Sequence, residues 1–362
     1  NLTQLIIRDD HRRGLHAGPQ LLLSMRMQRY WIIRGRAVVK TFVQKCVTCF
    51  RHRAATASQK MGDLPPMRAN QSRAFLKTGV DFAGPFTLKR SFGPRNTQTF
   101  KSYVCVFVCF TTHAIHLEPV SDLTTDAFIA ALKRFVSRRG LCSDISSDCG
   151  TNFVGADKEL QKDLEVLRTS ESLCKVTSSL SSVSIRWHFN PPSAPHFGGL
   201  WEAGVKLVKN HMKRVIGTTT LNFEELTTVL AQIEACVNSR PISPLSTDPE
   251  DLSALTPGHF LIGQPLNSVP EPDLTELKIT RLSRWQLCQQ LTQEFWKRWH
   301  TEYLATLQQR PKWASAEDNI TIGTLVLIKD DRPPSLKWKL GRVTEVHPGK
   351  DNLVRVVTLK TS

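Results

Sequence analysis

The sequence predicts an α/β protein with a mixed sheet core, preceded by a helical N-terminal domain and followed by a small β-rich C-terminal domain. Three observations support this prediction. Paired His and Cys residues open the chain, apolar β-type runs followed by an amphipathic helix fill its middle, and three short β-type runs close it. We place the domains at residues 1–56, 70–258 and 272–362.

The first domain holds four residues that suit a structural zinc ion. His11 and His16 have four residues between them, Cys46 and Cys49 have two, and 29 residues separate the pairs. Two imidazoles and two thiolates form the closed tetrahedral set of structural Zn²⁺ sites. We therefore predict that zinc stabilises this small domain, the alternative being four unrelated residues.

Local patterns give the expected elements of this region. Helices are predicted at Pro19–Gln28 and Arg36–Gln44, separated by the aromatic segment Tyr30-Trp31-Ile32. His52 lies just beyond the Cys pair, and we expect it to face solvent or phosphate. Residues 54–72 are polar and indicate a linker.

The central domain begins with β-type segments. Val80-Asp81-Phe82 predicts a strand that ends at Gly84-Pro85, and the apolar run Tyr103–Phe110 predicts a strand buried on both faces. Ala114–Val120 alternates and should pair beside that run, and a short strand is expected near Cys142–Ser147. Strands of this kind followed by a helix indicate a mixed α/β sheet.

Two further segments of this domain have clear helical or loop character. Thr125–Val136 shows helical periodicity, with Thr124 or Thr125 as the expected N-cap. The Ser-rich residues 169–184 predict a loop that forms an insertion.

Three acidic residues stand out from the others. Asp81 lies within a strand-like run, where a charge is rarely buried without a partner or a metal. Asp148 follows a predicted strand at the edge where ligands of α/β sheets gather, although Asp144 could compete with it. Glu202 follows the Pro- and Gly-rich residues 191–199, which form either a substrate-closing loop or a plain connector. Carboxylates from separate elements are the ligands of two-metal Mg²⁺ sites.

Glu202 begins a predicted helix, Trp201–Ile216, that also carries a lysine stripe. Lys206, Lys209 and Lys213 follow Glu202 at i+4, i+7 and i+11, on the same side of the helix. Such a helix would deliver Glu202 to a metal and lay ammonium groups along a phosphate backbone. The alternative is a solvated lysine face with Glu202 as an ordinary helical partner. The apolar face is formed by Val205, Val208, Met212 and Val215.

Composition points to a polyanionic partner. The formal net charge is +16, and residues 1–60 carry twelve Lys and Arg against two acidic residues, Asp9 and Asp10. A generic basic protein is the alternative. Nine scattered cysteines argue against a secreted disulfide framework and indicate a reducing interior. No apolar stretch reaches the ~18–20 residues of a membrane span, no signal peptide opens the chain, and the Asn1 start suggests a fragment.

The last third combines a long helix with short strands. Residues 246–280 are Pro-rich and irregular, and Arg281–Leu307 predicts a helix whose aromatic residues pack on the core or on another subunit, or else stack on nucleic acid. The three β-type runs at 324–329, 341–346 and 353–358 fit a small barrel.

Several of these motifs, taken in order, resemble retroelement integrases. The resemblance is carried by the His/Cys module, Asp81, Ser147–Phe153, and Asn190–His196 leading to Glu202. Tyr30-Trp31-Ile32 and Trp201–Lys206 are most similar to the BEL/Pao class of long-terminal-repeat retrotransposons. Asn238–Ile242 resembles the end of that core, and Trp338–Gly349 resembles the C-terminal module of the same polyproteins.

The resemblance implies a ribonuclease-H-like core, a zinc-binding N-terminal helical domain and a C-terminal SH3-like β-barrel. It implies a polynucleotidyl transferase that uses Mg²⁺ or Mn²⁺ to process DNA 3′ ends and join them to target DNA. By this resemblance Asp81 and Asp148 share one ion and Glu202 completes the second site. It also implies a homo-oligomer that binds element and target DNA, in a cytoplasmic particle first and then in the nucleus, with no membrane partner.

Two features of this chain depart from the family pattern. Cys149 stands where relatives usually have Asn, and the 53 residues between Asp148 and Glu202 form a longer gap than in retroviral enzymes. Neither departure touches a proposed metal ligand. An alternative function is therefore a catalytically inactive or domesticated DNA-binding protein derived from such an integrase. A further alternative is a zinc-dependent nucleic-acid chaperone or interaction module.

Overall fold

A computed structural model describes residues 2–53, 66–90, 98–169, 185–191, 198–217, 219–278, 282–307, 318–330 and 334–361. The chain divides into two compact units, Asn1–Asp63 and Leu64–Ser362. Three predicted features lie outside the described residues. They are the side chain of His52, the Ser-rich insertion beyond Thr169, and residues 192–197 of the Pro- and Gly-rich segment. No helix within the described ranges is long and apolar enough to cross a membrane.

The first unit is helical, as predicted, but contains more helices than the periodicity indicated. Helices α1 (Leu2–Arg13), α2 (Pro19–Met27), α3 (Gly35–Lys45) and α4 (Val47–Arg53) enclose a small apolar core. Helices α2 and α3 match the two predicted segments within about one residue at each end. The core residues are Ile7, Ala17, Leu22, Val39, Val43 and Cys49.

The aromatic side chains between α2 and α3 are exposed and do not form part of the core. Trp31 is 80% exposed and Tyr30 is 59% exposed. The Arg26 guanidinium lies 5.1 Å from the centre of the Tyr30 ring, and Arg26 is itself buried in an ion pair with Asp10. Tyr30 therefore covers a buried cation instead of filling the core.

The second unit is built on a five-stranded mixed sheet. Its strands are β1 (Lys77–Lys89), β2 (Thr99–Cys109), β3 (Ile115–Val120), β4 (Asp144–Ser147) and β5 (Arg186–Phe189). Their order is β3-β2-β1-β4-β5, with antiparallel pairing on the β3 side of β1 and parallel pairing on the other side. The predicted mixed α/β sheet is confirmed, and β5 is a strand that the sequence analysis missed.

The prediction that the first strand ends at Gly84-Pro85 is wrong. The pairing of β1 with β2 shifts register between Ala83 and Phe86 and then continues to Lys89. Gly84 has φ +153°, and a Cβ there would lie 2.6 Å from Cδ1 of Tyr103. Gly and Pro thus mark an irregularity within a long strand, which is a known use of these residues in sheets.

Helices cover both faces of the sheet. Helices α6 (Thr125–Arg139) and α7 (Thr151–Thr169) pack on the face that contains Cys105 and Phe107. Helices α8 (Gly199–Ile216) and α9 (Phe223–Asn238) pack on the face that contains Val104, Val106 and Val108. Strand β2 is thereby buried on both faces, as its continuous apolar sequence predicted.

Local capping explains where two of these helices begin. The Thr124 hydroxyl accepts a hydrogen bond from the Ala127 amide at 3.2 Å, so Thr124 is the N-cap of α6. Asn222 and Glu225 form a capping box that starts α9. Helices α6 and α8 match predicted segments, whereas α7 and α9 were not predicted. Within residues 54–72, where a linker was predicted, a one-turn helix, α5 (Pro66–Ala69), is present.

The rest of the second unit begins with two short strands, β6 (Ser243–Pro244) and β7 (Ala254–Leu255), and the short helix α10 (His259–Ile262). The long helix α11 (Arg284–Leu307) follows. Strands β8 (Leu325–Leu327), β9 (Leu340–Pro348) and β10 (Val354–Thr361) form an antiparallel sheet of order β10-β9-β8. Closure of this sheet into an SH3-like barrel stays a prediction.

Most of the aromatic residues of α11 pack in the core. Phe295, Trp296 and Trp299 are buried in the core, and the Trp338 ring packs edge-on against both tryptophans. Trp285 is 58% exposed and does not join this cluster. The core interpretation therefore holds for most of the set, and Trp338 ties the strand that follows it to the helix.

Candidate functional site

The four predicted zinc ligands converge in the first unit. His11 lies in α1, His16 follows it with φ +62°, Cys46 caps α3 and Cys49 lies in α4. Their ligand atoms all lie within 4.8 Å of one another, and they are the one such group among the described residues. The backbone turn at His16 explains how two histidines five residues apart aim at one point.

The interatomic distances fit a tetrahedral zinc ion. His16 Nδ1 lies 3.1 Å from His11 Nε2, and the Sγ atoms of Cys46 and Cys49 lie 3.4 Å and 3.3 Å from their nearest imidazole nitrogens. Zn–N and Zn–S bonds of about 2.0 and 2.3 Å at tetrahedral angles place ligand atoms roughly 3.3–3.6 Å apart. The donor set and its spacing therefore fit zinc.

The local electrostatics favour the metal-binding forms of two ligands. Burial, followed by the charge of His16, lowers the pKa of His11, so its imidazole is neutral near physiological pH. The backbone amide of Cys49 lowers the pKa of the Cys46 thiol. A neutral imidazole and a thiolate are the forms that coordinate Zn²⁺.

The central sheet brings Asp81 beside Asp148. Strand β1 pairs in parallel with β4, and Gly79 is the register partner of Ser146. Asp81 lies two residues beyond Gly79 in β1, and Asp148 lies two residues beyond Ser146, directly after β4. Adjacent strands lie about 4.8 Å apart, so the register makes the two backbones neighbours at this edge.

A glycine explains how Glu202 reaches the same edge. The Trp201 ring packs directly on Gly79, where an added Cβ would lie 2.6 Å from Trp201 Cε3. Gly79 and Asp81 are two residues apart and share a face of β1. Trp201 thereby seats the first turn of α8 on that face and carries Glu202 toward Asp81. The role of Gly79 was not predicted; its signal in the sequence is a glycine inside a strand, two residues before an acidic residue.

The three carboxylates interact electrostatically. The pKa of Asp81 is raised to about 6, mainly by burial and in addition by the charges of Asp148 and Glu202, while the Phe82 backbone amide acts to lower it. Asp81 is half-buried, whereas Asp148 and Glu202 are exposed. Among the described residues they are not gathered as tightly as the zinc ligands. Like charges oppose such convergence, and cations would favour it.

The competing residue Asp144 has other partners. It is buried in β4, where its Oδ1 lies 2.9 Å from His188 Nε2 and 3.2 Å from Arg186 Nε. Burial raises the pKa of Asp144, but its hydrogen bonds to His188 and Ser143 outweigh burial and lower it. Asp144 therefore holds β5 against β4, and Asp148 is the better candidate ligand.

The predicted lysine stripe is present on α8. Lys206 and Lys213 are exposed and Lys209 is half-buried. The charge of Lys209 acts to lower the pKa of Asp81, which places this ammonium group near the carboxylates. The opposite side of the helix is apolar and buried, and it includes Val205, Val208 and Met212. A cationic surface thus leads away from the acidic edge.

Cys149 lies beside the candidate site without forming part of its carboxylate set. Its side chain is exposed, and its Sγ donates to the Asn190 carbonyl at 3.1 Å. The Asp148 carboxylate instead accepts from the Gly150 amide at 3.0 Å. Cys149 therefore links the turn after β4 to the end of β5.

Comparison with known proteins assigns the two ends of the chain. Residues 1–55 match the integrase zinc binding domain, and residues 283–362 match a family of unknown function, DUF5641. The first match and the ligand geometry establish the N-terminal unit as an integrase-type zinc-binding domain, which supports an integrase region. No curated protein matches the chain.

One solved structure similar to this chain is a simian T-cell lymphotropic virus intasome in complex with the PP2A regulatory subunit B56 gamma. The identity is 15%, and the alignment covers 97% of this chain and 95% of that chain. The TM-score of 0.31 is too low to establish a shared fold.

The zinc site predicts a selective response to cysteine substitution. We expect about one equivalent of zinc in the full chain and its loss in Cys46→Ser, because a hydroxyl is a poor replacement for the thiolate. Elemental analysis of the purified proteins measures this, with Cys149→Ser as the control that keeps its zinc. Equal zinc content in wild type and Cys46→Ser would contradict the assignment.

The elevated pKa of Asp81 predicts a pH-dependent stability in the absence of metal. The folded chain holds this proton up to about pH 6, whereas the unfolded chain releases it near 3.8. Stability is therefore lost as pH rises from about 4 to 6, by up to about 3 kcal/mol. In EDTA, Asp81→Asn should raise the thermal midpoint above pH 6 and leave it unchanged below pH 4. Asp163→Asn, an exposed change on α7, should have no such effect, and a pH-independent difference for Asp81→Asn would contradict this account.

Proposed function

We propose that the chain is an integrase, a polynucleotidyl transferase that processes the 3′ ends of element DNA and joins them to target DNA. The observation that carries this proposal is the β1–β4 register, which makes Asp81 and Asp148 neighbours at one edge of the sheet, together with the charge of Glu202 acting on Asp81 from the start of α8. The integrase-type zinc-binding domain at residues 1–55 supports it independently.

The carboxylates are suited to hold divalent cations. Asp81 and Asp148 would share one Mg²⁺ or Mn²⁺, and Glu202 would complete the second site. Bound ions would supply activation of the attacking oxygen and stabilisation of the leaving oxygen in an in-line displacement at phosphorus. Oxygen ligands from rigid strands and a helix match this hard cation. The clustering of negative charge also explains why Asp81 resists ionisation in the metal-free chain.

The chain's basic groups would position DNA at this edge. Lys206, Lys209 and Lys213 run along α8 from Glu202, so a backbone held by these ammonium groups passes the carboxylates. The net charge of +16 supports a polyanionic partner. No side chain serves as a covalent nucleophile in this scheme, and Cys149 faces the Asn190 carbonyl.

The finer assignment follows the family resemblance. We place the chain in the BEL/Pao class of long-terminal-repeat retrotransposons, as part of a polyprotein. The five-stranded mixed sheet supports a ribonuclease-H-like core, and the three-stranded C-terminal sheet supports an SH3-like barrel. Joining two DNA ends calls for a homo-oligomer, acting in the nucleus after assembly in a cytoplasmic particle.

A second candidate function is a DNA-binding protein that has lost catalysis. The observation that favours it is Cys149, which stands beside Asp148 where relatives usually have Asn and bonds to a backbone carbonyl. In that case the zinc domain and the lysine stripe would still bind DNA, and the carboxylates would carry out no reaction. A Mg²⁺-dependent strand-transfer assay separates the two functions.

A carboxylate substitution tests the leading function. On a labelled element-end oligonucleotide with Mg²⁺, we expect strand-transfer product from wild type and at least a 100-fold loss in Asp148→Asn, because a metal ligand is removed. DNA binding should persist in that variant, measured by fluorescence anisotropy. Asp163→Asn and Cys149→Ser serve as matched controls that keep activity. Product formation by Asp148→Asn at the wild-type rate would contradict the assignment.

A further inference from the structure

Two arginines and a histidine gather at the opposite end of β1 from the carboxylates. Arg68 lies in α5, His113 lies in the turn between β2 and β3, and Arg240 follows the C-cap of α9. The Phe110 amide donates to the Lys77 carbonyl at 3.0 Å, so this turn stands at the start of β1. Asp81 is four residues further along the strand, about 13 Å away.

The segment that carries Arg68 is held against this turn. The hydroxyls of Ser72 and Thr111 lie 2.7 Å apart, in hydrogen-bonding distance. Met67, the neighbour of Arg68, packs on the hydrophobic core. The position of Arg68 beside the turn is thus set on one side by the packing of Met67 and on the other by the hydrogen bond of Ser72.

Arg240 has a fixed orientation and unused donors. Its Nη1 donates to the Val237 carbonyl at 2.8 Å and its Nη2 donates to the His113 carbonyl at 2.7 Å. A guanidinium has five N–H donors, so three have no partner among the described residues. A cation at the C-terminus of α9 interacts favourably with the helix dipole, which accounts for Arg240 by itself.

Helix capping does not account for Arg68 and His113. The Arg68 Nε atom is buried without a hydrogen-bond partner. No carboxylate among the described residues pairs with Arg68 or Arg240. Burial lowers the pKa of His113, and the charges of Arg240 and Arg68 lower it further. Two guanidinium groups are thus held at the same turn by the Arg240–His113 and Ser72–Thr111 hydrogen bonds, which costs stability unless an anion joins them.

We propose that Arg68, His113 and Arg240 form a binding site for a phosphate group of the DNA backbone. This inference rests on the proposed function and adds to it a second DNA contact, away from the reacting end. Arginine forks suit phosphate oxygens, and the overall charge of the chain favours a polyanion over a single carboxylate. The site holds a strand and takes no part in the chemistry.

The phosphate site is tested first with small anions on the full chain. Inorganic phosphate should shift the His113 imidazole resonance in ¹³C-histidine-labelled protein and raise its pKa, because the bound anion offsets the two arginines. Arg68→Gln should abolish this response. Acetate at the same concentration is the comparison for a carboxylate ligand. No response to phosphate, or an equal response to acetate, would overturn the assignment to phosphate.

The affinity for duplex DNA, and its dependence on salt, tests the same site with the proposed ligand. Arg68→Gln should weaken binding of a duplex oligonucleotide by about tenfold, through loss of a charged hydrogen bond. The slope of log K against log salt should become shallower by about one. The variant gives up no hydrogen bond in the free protein, so its thermal midpoint should equal or exceed that of wild type. Arg298→Gln, which removes an arginine paired with Glu302, should leave both affinity and slope unchanged.

The outcomes separate this inference from the proposed function. Arg68-dependent binding of phosphate and DNA without strand transfer would uphold the phosphate site and refute the integrase activity. Strand transfer that depends on Asp148, with unchanged affinity and salt slope in Arg68→Gln, would uphold the activity and refute the phosphate site.

Discussion

The parallel register between β1 and β4 is the constraint on which the candidate catalytic site depends. Because Gly79 pairs with Ser146, Asp81 and Asp148 meet at one edge, and the same face of β1 receives Trp201 at Gly79. A shift of one residue would turn Asp81 to the opposite face. Burial of β2 on both faces makes such a shift costly, since each face packs against its own set of helices.

The zinc site and the proposed carboxylate site differ in how far the protein alone assembles them. The zinc ligands already stand at tetrahedral spacing, on helices that share one small core. The carboxylates repel one another. Burial, together with this repulsion, raises the pKa of Asp81. The zinc ligands are therefore already arranged for their ion, whereas the sheet folds around its carboxylates through apolar packing.

The sequence predicted the features that depend on spacing and periodicity. The zinc ligands, the doubly buried strand Tyr103–Phe110 and the lysine stripe of α8 follow from local patterns, because each depends only on residues close together along the chain or on their spacing. Features set by tertiary contacts could not be predicted in this way. Strand β1 continues through Gly84-Pro85 because β2 pairs with it on both sides of the irregularity. Arg68 and Arg240 are 172 positions apart, and the fold alone brings them to the same turn.

The central claim is that three carboxylates on one sheet edge bind catalytic cations. Anomalous diffraction from crystals of the full chain grown with Mn²⁺ tests it most directly, since the ion's position is observed without reference to activity. The account predicts manganese bound by Asp81, Asp148 and Glu202, as two ions about 3.5–4 Å apart when DNA is present. Manganese absent from this edge, or bound there without Asp81 and Asp148, would contradict it.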